Sequence, residues 1–431
     1  MLNNPAASYA GKVAQVLYFK DEIGRVQLVL PSDRVVDLTR LARELNRQLR
    51  PLDVEEIKHL KQRFGLKDFP TPPQPNLVEN WVDDALAGLP EVIYWNESGW
   101  QRASSERLAD IVRLAKVGSF SQPLPRLEFD AGQDTKAING AIHAFTALRI
   151  KQRLAETLDL PPLPESANRI ITLRTDINAG PKELAQAVEL DPSLSAQVVN
   201  WACSPFYGQR GSVQSVEDAI VRVLGFDMVI NLALGLALGR NFTVPKDGAR
   251  GYTPFWQQSV MTAALCNELV RSMPVRLRPN AGLMYLCGLL HNFGFLILGQ
   301  VFPPQFELVN RHVEANPHLG RMYIEQHVLG MTREQIAALL LEQWRMPLEV
   351  ISAIRQQQNP KYTGVYAVYA HLLYLCARAL RQQGIGDGAS EPIPDYLLDT
   401  LGLDLETVTE VTQNLLARMD DLKALSQMLG R

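Results

Sequence analysis

Cysteines, long apolar runs and an N-terminal leader are scarce or missing in this sequence, and each absence excludes a class of protein. The 431 residues include only four cysteines, none close enough to another for the CxxC pairs of zinc or redox sites. No apolar run reaches the roughly 20 residues that span a bilayer. The first residues lack the basic start and apolar stretch of a secretory signal. The sequence therefore predicts a cytoplasmic protein with buried, reduced thiols and no membrane insertion.

Charge of one sign is not in excess either. The 43 lysines and arginines against 46 acidic residues give a net charge of −3, which is not the basic balance of a nucleic-acid-binding protein. No segment fits a P-loop, and the GxG at Gly384–Gly386 follows no predicted strand, so this stretch is interpreted as a flexible loop. The length suits two or three domains of ordinary globular composition.

The first 125 residues mix strand and helix patterns. Val13–Phe19 and Val26–Leu30 are rich in β-forming residues and flank a turn-like DEIGR segment, which predicts a hairpin. Leucines at positions 38, 41, 45 and 49 then follow a helical spacing. Further predicted features are a proline-rich break at Phe69–Pro75, short strands at Val92–Trp95 and Gly99–Gln101, and a helix near Ser105–Lys116. Together they predict an α/β module.

After a linker at Ser121–Arg126, the sequence predicts helices from about residue 130 to the C-terminus. A long helix is expected from Thr135 to Thr157, docked on this helical half. Asp191-Pro192 reads as an N-cap before a proline at the first helical position, and Thr253-Pro254 repeats the pattern. Two further pairs fit the spacing of capping boxes, Ser215 with Asp218 and Thr332 with Gln335. The fold class is thus α+β overall, an α/β domain followed by an all-α domain.

The most informative segment is Gly288–Gly294, with the sequence GLLHNFG. A His-Asp dyad at the end of a buried helix, followed by a glycine, is the core of the HD metal-dependent phosphohydrolases, which this segment resembles. That resemblance implies a second histidine upstream and a further aspartate downstream. In such enzymes the ligands hold one or two metal ions, and a metal-bound hydroxide attacks phosphorus.

The wider pattern is similar to the HDOD domain, the HD-related output domain of bacterial signalling proteins, over about residues 150–360. The matching blocks, in order, are Leu160–Pro164, Leu190–Val198, Trp201–Gly208, Ser215–Gly225, Phe255–Ser259 and Gly288–Gly294. The predicted division of the chain is the α/β domain at 1–122, a linker and helix at 123–149, the HDOD domain at 150–360, and C-terminal helices at 361–431 packed on it.

Several departures from the HD pattern bear on its chemistry. Gln258 stands where the first histidine would align, and Asn292 stands where the dyad has its aspartate. The later region reads Gln356–Gln358, and the downstream acidic position falls near Arg378. Only His291 survives, and a neutral amide cannot supply the charge that hard cations require. We therefore predict a degenerate HD site at Gln258, His291 and Asn292, with no catalytic residue, no metal and no cofactor.

The first module resembles the aminoacyl-tRNA editing domains of the YbaK and prolyl-tRNA-synthetase-associated type. The resemblance rests on Leu28–Leu41, the proline-rich loop at Thr71–Pro75 and the closing Gly118–Ser121. It implies a lysine at the end of the first strand and a glycine-proline loop that binds the amino acid. Here Ala14–Leu17 holds no lysine at the matching place, Lys12 and Lys20 are out of register, and the loop lacks the glycine. We expect no deacylase activity.

Four arginines follow this strand at helical spacing, namely Arg40, Arg43, Arg47 and Arg50. Such a stripe could contact RNA or another anionic partner. Acidic residues are interspersed, however, and the overall charge balance argues against RNA.

The sequence leaves three functional hypotheses. The first is a non-catalytic signal-transduction protein whose degenerate output domain binds a protein partner or a small ligand. The second is a metal-dependent phosphohydrolase acting on a nucleotide or cyclic dinucleotide. The third is a tRNA-related binding protein.

Overall fold

A computed structural model describes residues 13–65, 78–96, 99–147, 163–176, 178–207, 213–239, 242–245, 248–250, 253–388 and 390–429. The predicted loop at Thr71–Pro75 and the helix beyond Ala147 lie outside these residues. The chain forms two compact units. The first comprises residues 1–127, 248–251 and 307–328, and the second comprises residues 128–247, 252–306 and 329–431.

The first unit is built on a mixed sheet. Its strands are β1 Ala14–Lys20, β2 Arg25–Pro31, β3 Arg34–Val36, β4 Arg50–Pro51, β5 Glu79–Asp83, β6 Val92–Asn96, β7 Gly99–Ala103, β8 Lys116–Gly118 and β9 Ser121–Pro123. The main sheet has the order β4-β1-β2-β5-β8, and β3 pairs with β9 and β6 with β7. The predicted hairpin is confirmed, since β1 and β2 pair antiparallel from Ala14 opposite Pro31 to Lys20 opposite Arg25. β2, β5 and β8 are mutually parallel.

Short helices accompany this sheet. They are α1 Leu38–Leu45, α2 Val54–Phe64, α3 Asp84–Ala87 and α4 Ser105–Leu114. Helix α1 begins at Asp37, whose side chain accepts hydrogen bonds from the backbone N–H groups of Thr39 and Arg40. It ends at Asn46, which has the left-handed conformation with φ 51°. The leucine spacing therefore predicted too long a helix, because Leu49 lies beyond the end of α1.

Two later helices have most of their residues in the first unit, α14 Pro303–Ala315 and α15 Arg321–Leu329. Ala315 belongs to the apolar cluster that holds Leu17 and Phe19 of β1. Buried Asn316 accepts a hydrogen bond from the N–H of Val36 at 2.7 Å and donates to the Val36 carbonyl at 3.1 Å. Sequence assigned residues 307–328 to the helical domain, whereas their packing places them in the sheet-containing unit. The boundaries at 122, 149 and 360 stay predictions.

The described residues of the second unit form helices joined by loops, with no strand among them. Its helices are α5 Asp134–Ala147, α6 Glu165–Thr175, α7 Pro181–Glu189, α8 Pro192–Cys203, α9 Val216–Asp218, α10 Phe226–Gly239, α11 Phe255–Ser272, α12 Ala281–Leu290, α13 Phe293–Val301, α16 Arg333–Gln343, α17 Leu348–Gln356, α18 Ala367–Gln382, α19 Asp395–Leu401, α20 Leu405–Leu416 and α21 Met419–Leu429. The described part of the long helix, α5, belongs here as predicted. Asp134 at its start accepts hydrogen bonds from Arg355 at 2.7 Å and Gln335 at 2.9 Å.

Most of the predicted helix starts are confirmed. The Asp191 side chain caps α8, Ser215 caps α9, and Thr332 with Gln335 forms a capping box on α16. Thr253 is the exception, because α11 begins after Pro254 and no side chain caps it. Thr253 instead exchanges hydrogen bonds with Gly386, its N–H donating to the Gly386 carbonyl and its Oγ1 accepting from the Gly386 N–H.

One segment, Ala281–Val301, is long and apolar enough to cross a membrane by length and composition. In this fold 94% of an 18-residue apolar stretch within it is buried inside the protein, and the segment forms two consecutive helices, α12 and α13. Such burial is what a core helix pair requires.

Candidate functional site

The predicted HD-type dyad lies at the junction of α12 and α13. His291 is the C-cap residue that follows α12, and Asn292 is the N-cap residue that precedes α13. Glycines flank the dyad because neighbouring backbone comes too close for a side chain. A Cβ on Gly288 would lie 2.5 Å from the Ala263 Cα, and one on Gly294 would clash with the Arg333 carbonyl. The GLLHNFG pattern thus reflects tight packing of this junction against α11 and the start of α16.

His291 is buried, with 7% of its surface exposed. Its Nδ1 lies 2.8 Å from the Gly288 carbonyl oxygen, which can only accept, so Nδ1 carries the proton. Nε2 is then the basic nitrogen of the ring. The His291 carbonyl accepts a hydrogen bond from the Gln357 side chain at 2.7 Å. Gln357, in the region where HD enzymes place later histidines, therefore holds the backbone of the dyad.

Gln258 lies on α11 and is buried. Its Nε2 donates to the Thr253 carbonyl at 2.5 Å, and its buried Oε1 accepts no hydrogen bond from the described residues. Gln258, His291 and Asp387 line one narrow cavity that has room for about one water molecule. The structure therefore does bring Gln258 and His291 together, but around a space far smaller than a nucleotide.

Asn292 is bound by an arginine. The Arg333 Nη1 donates to the Asn292 Oδ1 at 2.7 Å and to the Asp387 Oδ2 at 2.8 Å. Asp387 also receives the Arg381 Nη2 at 3.3 Å. The side chains of Asp387 and Arg333 are 4% and 3% exposed. Arg333 is the first residue of α16, where a positive charge opposes the helix dipole, so the carboxylate and amide beside it stabilise its position.

The residues of this site do not fit a hard divalent metal ion. The neutral Asn292 oxygen is bound by a guanidinium, and Asp387, the one carboxylate among the described residues that line the cavity, is bound by two. A metal ion beside Asn292 would have to displace the buried charge of Arg333. The fixed cation instead binds the Asn292 oxygen and the Asp387 carboxylate.

Sequence reasoning missed Arg333, Arg381 and Asp387. The glycine-rich segment around Gly384–Gly386, interpreted as a flexible loop, is anchored by Thr253 and delivers Asp387 to the site. Arg378, the position aligned with the downstream acid, lies elsewhere and binds Glu391, with its guanidinium 3.3 Å from the centre of the Tyr374 ring. A buried acid within a glycine-rich loop carries no periodic signal that could have revealed it.

The four arginines of the predicted basic stripe do not share one helical face. Helix α1 ends at Leu45, so Arg47 and Arg50 lie beyond it. Arg47 bonds Asp21 at 2.5 Å and Glu79 at 2.7 Å, and its guanidinium holds the pKa of Asp21 below its usual range. Arg40 and Arg43 are exposed on α1. Contact with an anionic partner stays a prediction.

Arg47 and Arg50 line a cleft of about 940 Å³ in the first unit. Lys20, at the end of β1, also lines it, but its ammonium is engaged by Glu56. Each of the other basic groups has an acidic partner, so the described residues of the cleft include no cluster of unpaired cations. The pairs are Arg47 with Asp21 and Glu79, Arg50 with Glu56, Arg250 with Glu314, and Arg311 with Glu307.

Comparison with known proteins identifies an HDOD domain in this chain. The HDOD domain family matches residues 160–360. One solved structure is of a protein from Marinobacter aquaeolei VT8 that is described as a candidate signal transduction protein. Its sequence is 42% identical to this chain, and the two structures superpose with a TM-score of 0.87. The match covers 98% of this chain and 94% of that one.

Two more distant proteins are similar to part of this chain. An HDOD domain protein of unknown function from Geobacter sulfurreducens is 17% identical, with a TM-score of 0.53 over 68% of this chain and 99% of its own, and shows the fold alone. A protein without assigned function from Treponema pallidum (strain Nichols) is 24% identical over 207 residues, which is 47% of this chain. The match spans 38% of that curated relative's length.

Proposed function

The chain belongs to the HDOD-domain proteins, and on this premise we propose that it is a non-catalytic signal-transduction protein whose helical unit binds a partner protein or a small ligand. The supporting observation is the buried Arg333, which bonds both Asn292 and Asp387. In a working HD site the charge beside the dyad is a metal ion held by carboxylates and imidazoles. Here a side chain of the protein supplies that charge.

A fixed cation cannot do what the metal does. It has no open coordination position for water, and a guanidinium does not lower the pKa of a bound water as a divalent ion does. The cavity beside His291 is also too small for a phosphodiester. What remains is a helical scaffold whose surface can present binding sites.

The alternative function, a metal-dependent phosphohydrolase, predicts that the chain hydrolyses a phosphodiester when metal is added, and an activity assay tests this. The purified full chain is incubated with Mn²⁺ and bis(p-nitrophenyl) phosphate, beside a His291→Ala variant. We expect the two proteins to be indistinguishable from buffer with metal. Manganese-dependent turnover that the variant loses would contradict the proposal.

The binding half of the proposal needs a separate experiment. The full chain is used as bait in extracts of its own cells, and any captured protein is purified and titrated back onto the chain by calorimetry. A saturable complex between the purified pair supports a partner-binding role. Failure of every captured protein to rebind, together with no ligand found by mass spectrometry of the native chain, would refute it.

We further propose that the first unit is related to the aminoacyl-tRNA deacylases and has lost their activity. Its α/β fold with a mixed sheet is compatible with such an origin. The one lysine of β1, Lys20, forms an ion pair with Glu56. Hydrolysis of aminoacyl-tRNA by the full chain, abolished in a Lys20→Ala variant, would overturn this. We also propose a cytoplasmic location, because all four cysteines are free thiols.

A further inference from the structure

Three metal-binding side chains converge in the first unit, away from the HD-type site. Asp37 precedes α1, His312 lies on α14 and His327 lies on α15. One ligand atom from each lies within 4.8 Å of the other two. The Asp37 Oδ2 and His327 Nε2 are 3.4 Å apart, close to the roughly 3.3 Å between ligand atoms around a tetrahedral ion with bonds of about 2.0–2.1 Å.

The ring of His312 is held in the orientation of a metal ligand. Its Nδ1 lies 2.9 Å from the Leu308 carbonyl oxygen, which can only accept a hydrogen bond. Nδ1 therefore carries the proton and Nε2 keeps its lone pair. Metal-bound histidines are fixed in this way, with the second ring nitrogen donating to a carbonyl or carboxylate.

The carboxylate of Asp37 is also fixed before any ion arrives. Its Oδ1 caps α1 by accepting the backbone N–H groups of Thr39 and Arg40. Its Oδ2, the atom facing His327, accepts the Gln122 side chain at 2.6 Å. A carboxylate oxygen that accepts one hydrogen bond still has a lone pair for a second contact, and His327 Nε2 lies 3.4 Å from this one.

Asn316 joins the segments that carry two of these ligands. Its side chain accepts the N–H of Val36, next to Asp37, and donates to the carbonyl of His312 at 2.8 Å. It is 1% exposed. A buried amide that bonds both backbones holds the carboxylate and the imidazole at a constant separation, which is the role of outer residues around a metal.

We propose that Asp37, His312 and His327 form a binding site for a zinc-class divalent ion. Two imidazoles and one carboxylate are the ligand set of zinc sites that keep a fourth position for water or another ligand. The side chains of His327 and Asp37 are 13% and 14% exposed, so an ion can enter from solvent. The site does not depend on the function proposed for the helical unit.

The first test is calorimetric titration of the EDTA-treated full chain with Zn²⁺ and with Co²⁺. We expect one ion per chain, and affinity reduced by at least about 100-fold in Asp37→Asn and His327→Ala. Asparagine still caps a helix, so Asp37→Asn keeps α1 intact. His59→Ala, an exposed histidine of the same unit, is the matched control and should bind like the parent. Undiminished binding in both ligand variants would overturn the proposal.

Two further measurements separate this site from the others. His291→Ala should retain the ion, and loss of binding there would assign it to the HD-type site instead. X-ray absorption of the Zn²⁺-loaded parent needs no variant. A first shell of nitrogen and oxygen with imidazole scattering supports the assignment, whereas a sulfur shell would mean that the thiols hold the zinc.

Discussion

Replacing Asp387 with asparagine is the most direct test of the charge network around the HD-type dyad. The carboxylate binds Arg333 at 2.8 Å and Arg381 at 3.3 Å, and all three side chains are less than a tenth exposed. Asparagine keeps the size and shape but removes the negative charge that both guanidiniums bind. Removing one partner of a buried ion pair costs about 3–5 kcal/mol.

We therefore expect Asp387→Asn to lower the free energy of unfolding of the helical unit by about 3–5 kcal/mol. This is a large share of the roughly 5–15 kcal/mol that holds a domain folded. Denaturant unfolding followed by circular dichroism at 222 nm measures it, because the helices of the second unit dominate that signal. Asp399→Asn, an exposed position on α19, is the control and should change stability by less than about 0.5 kcal/mol.

A double-mutant cycle with Arg333→Met isolates the pair itself. The combined variant should lose less than the sum of the single losses, with a coupling energy of about 0.5–3 kcal/mol. A loss below about 1 kcal/mol for Asp387→Asn, with an unchanged denaturant slope, would refute the reasoning. Asp387 would then not be the buried counter-charge of Arg333.

Three further outcomes follow from other contacts. Asn292→Asp should gain no phosphodiesterase activity with Mn²⁺ and no bound metal, because the new carboxylate faces Arg333; turnover in an activity assay would contradict this. Burial lowers the pKa of His318 to about 4, so the unfolded chain, at about 6.5, takes up its proton first as the pH falls. The stabilisation that comes from keeping His318 neutral is complete above pH 6.5 and is lost towards pH 4. About 2 kcal/mol of the free energy of unfolding should be lost by pH 5. Denaturant titrations should show no such loss in His318→Gln, whereas the exposed control His59→Gln should still show it. A fragment of residues 1–127 should melt below the same unit in the full chain, because Ala315 and Asn316 are missing from its core; equal hydrogen-exchange protection in fragment and parent would refute this.

Local signals in the sequence were sufficient for many elements of the fold. The β1–β2 hairpin follows from two β-rich runs around a turn, and the caps at Asp191, Ser215 and Thr332 follow from hydrogen bonds within three residues. Gly288 and Gly294 marked the dyad because backbone packs against them. Propensities, caps and tight packing act over a few residues, so a single chain can be read for them.

The chemistry of both sites depends on residues far apart in the sequence. Arg333 bonds Asn292 across 41 positions and Asp387 across 54, and Asn316 bonds Val36 across 280. His312 and His327, each without a suitable partner in the sequence, come beside Asp37 only because residues 307–328 pack with the sheet. No local pattern encodes these approaches, since they arise when separate segments bury their apolar faces together and bring their polar groups into bonding distance.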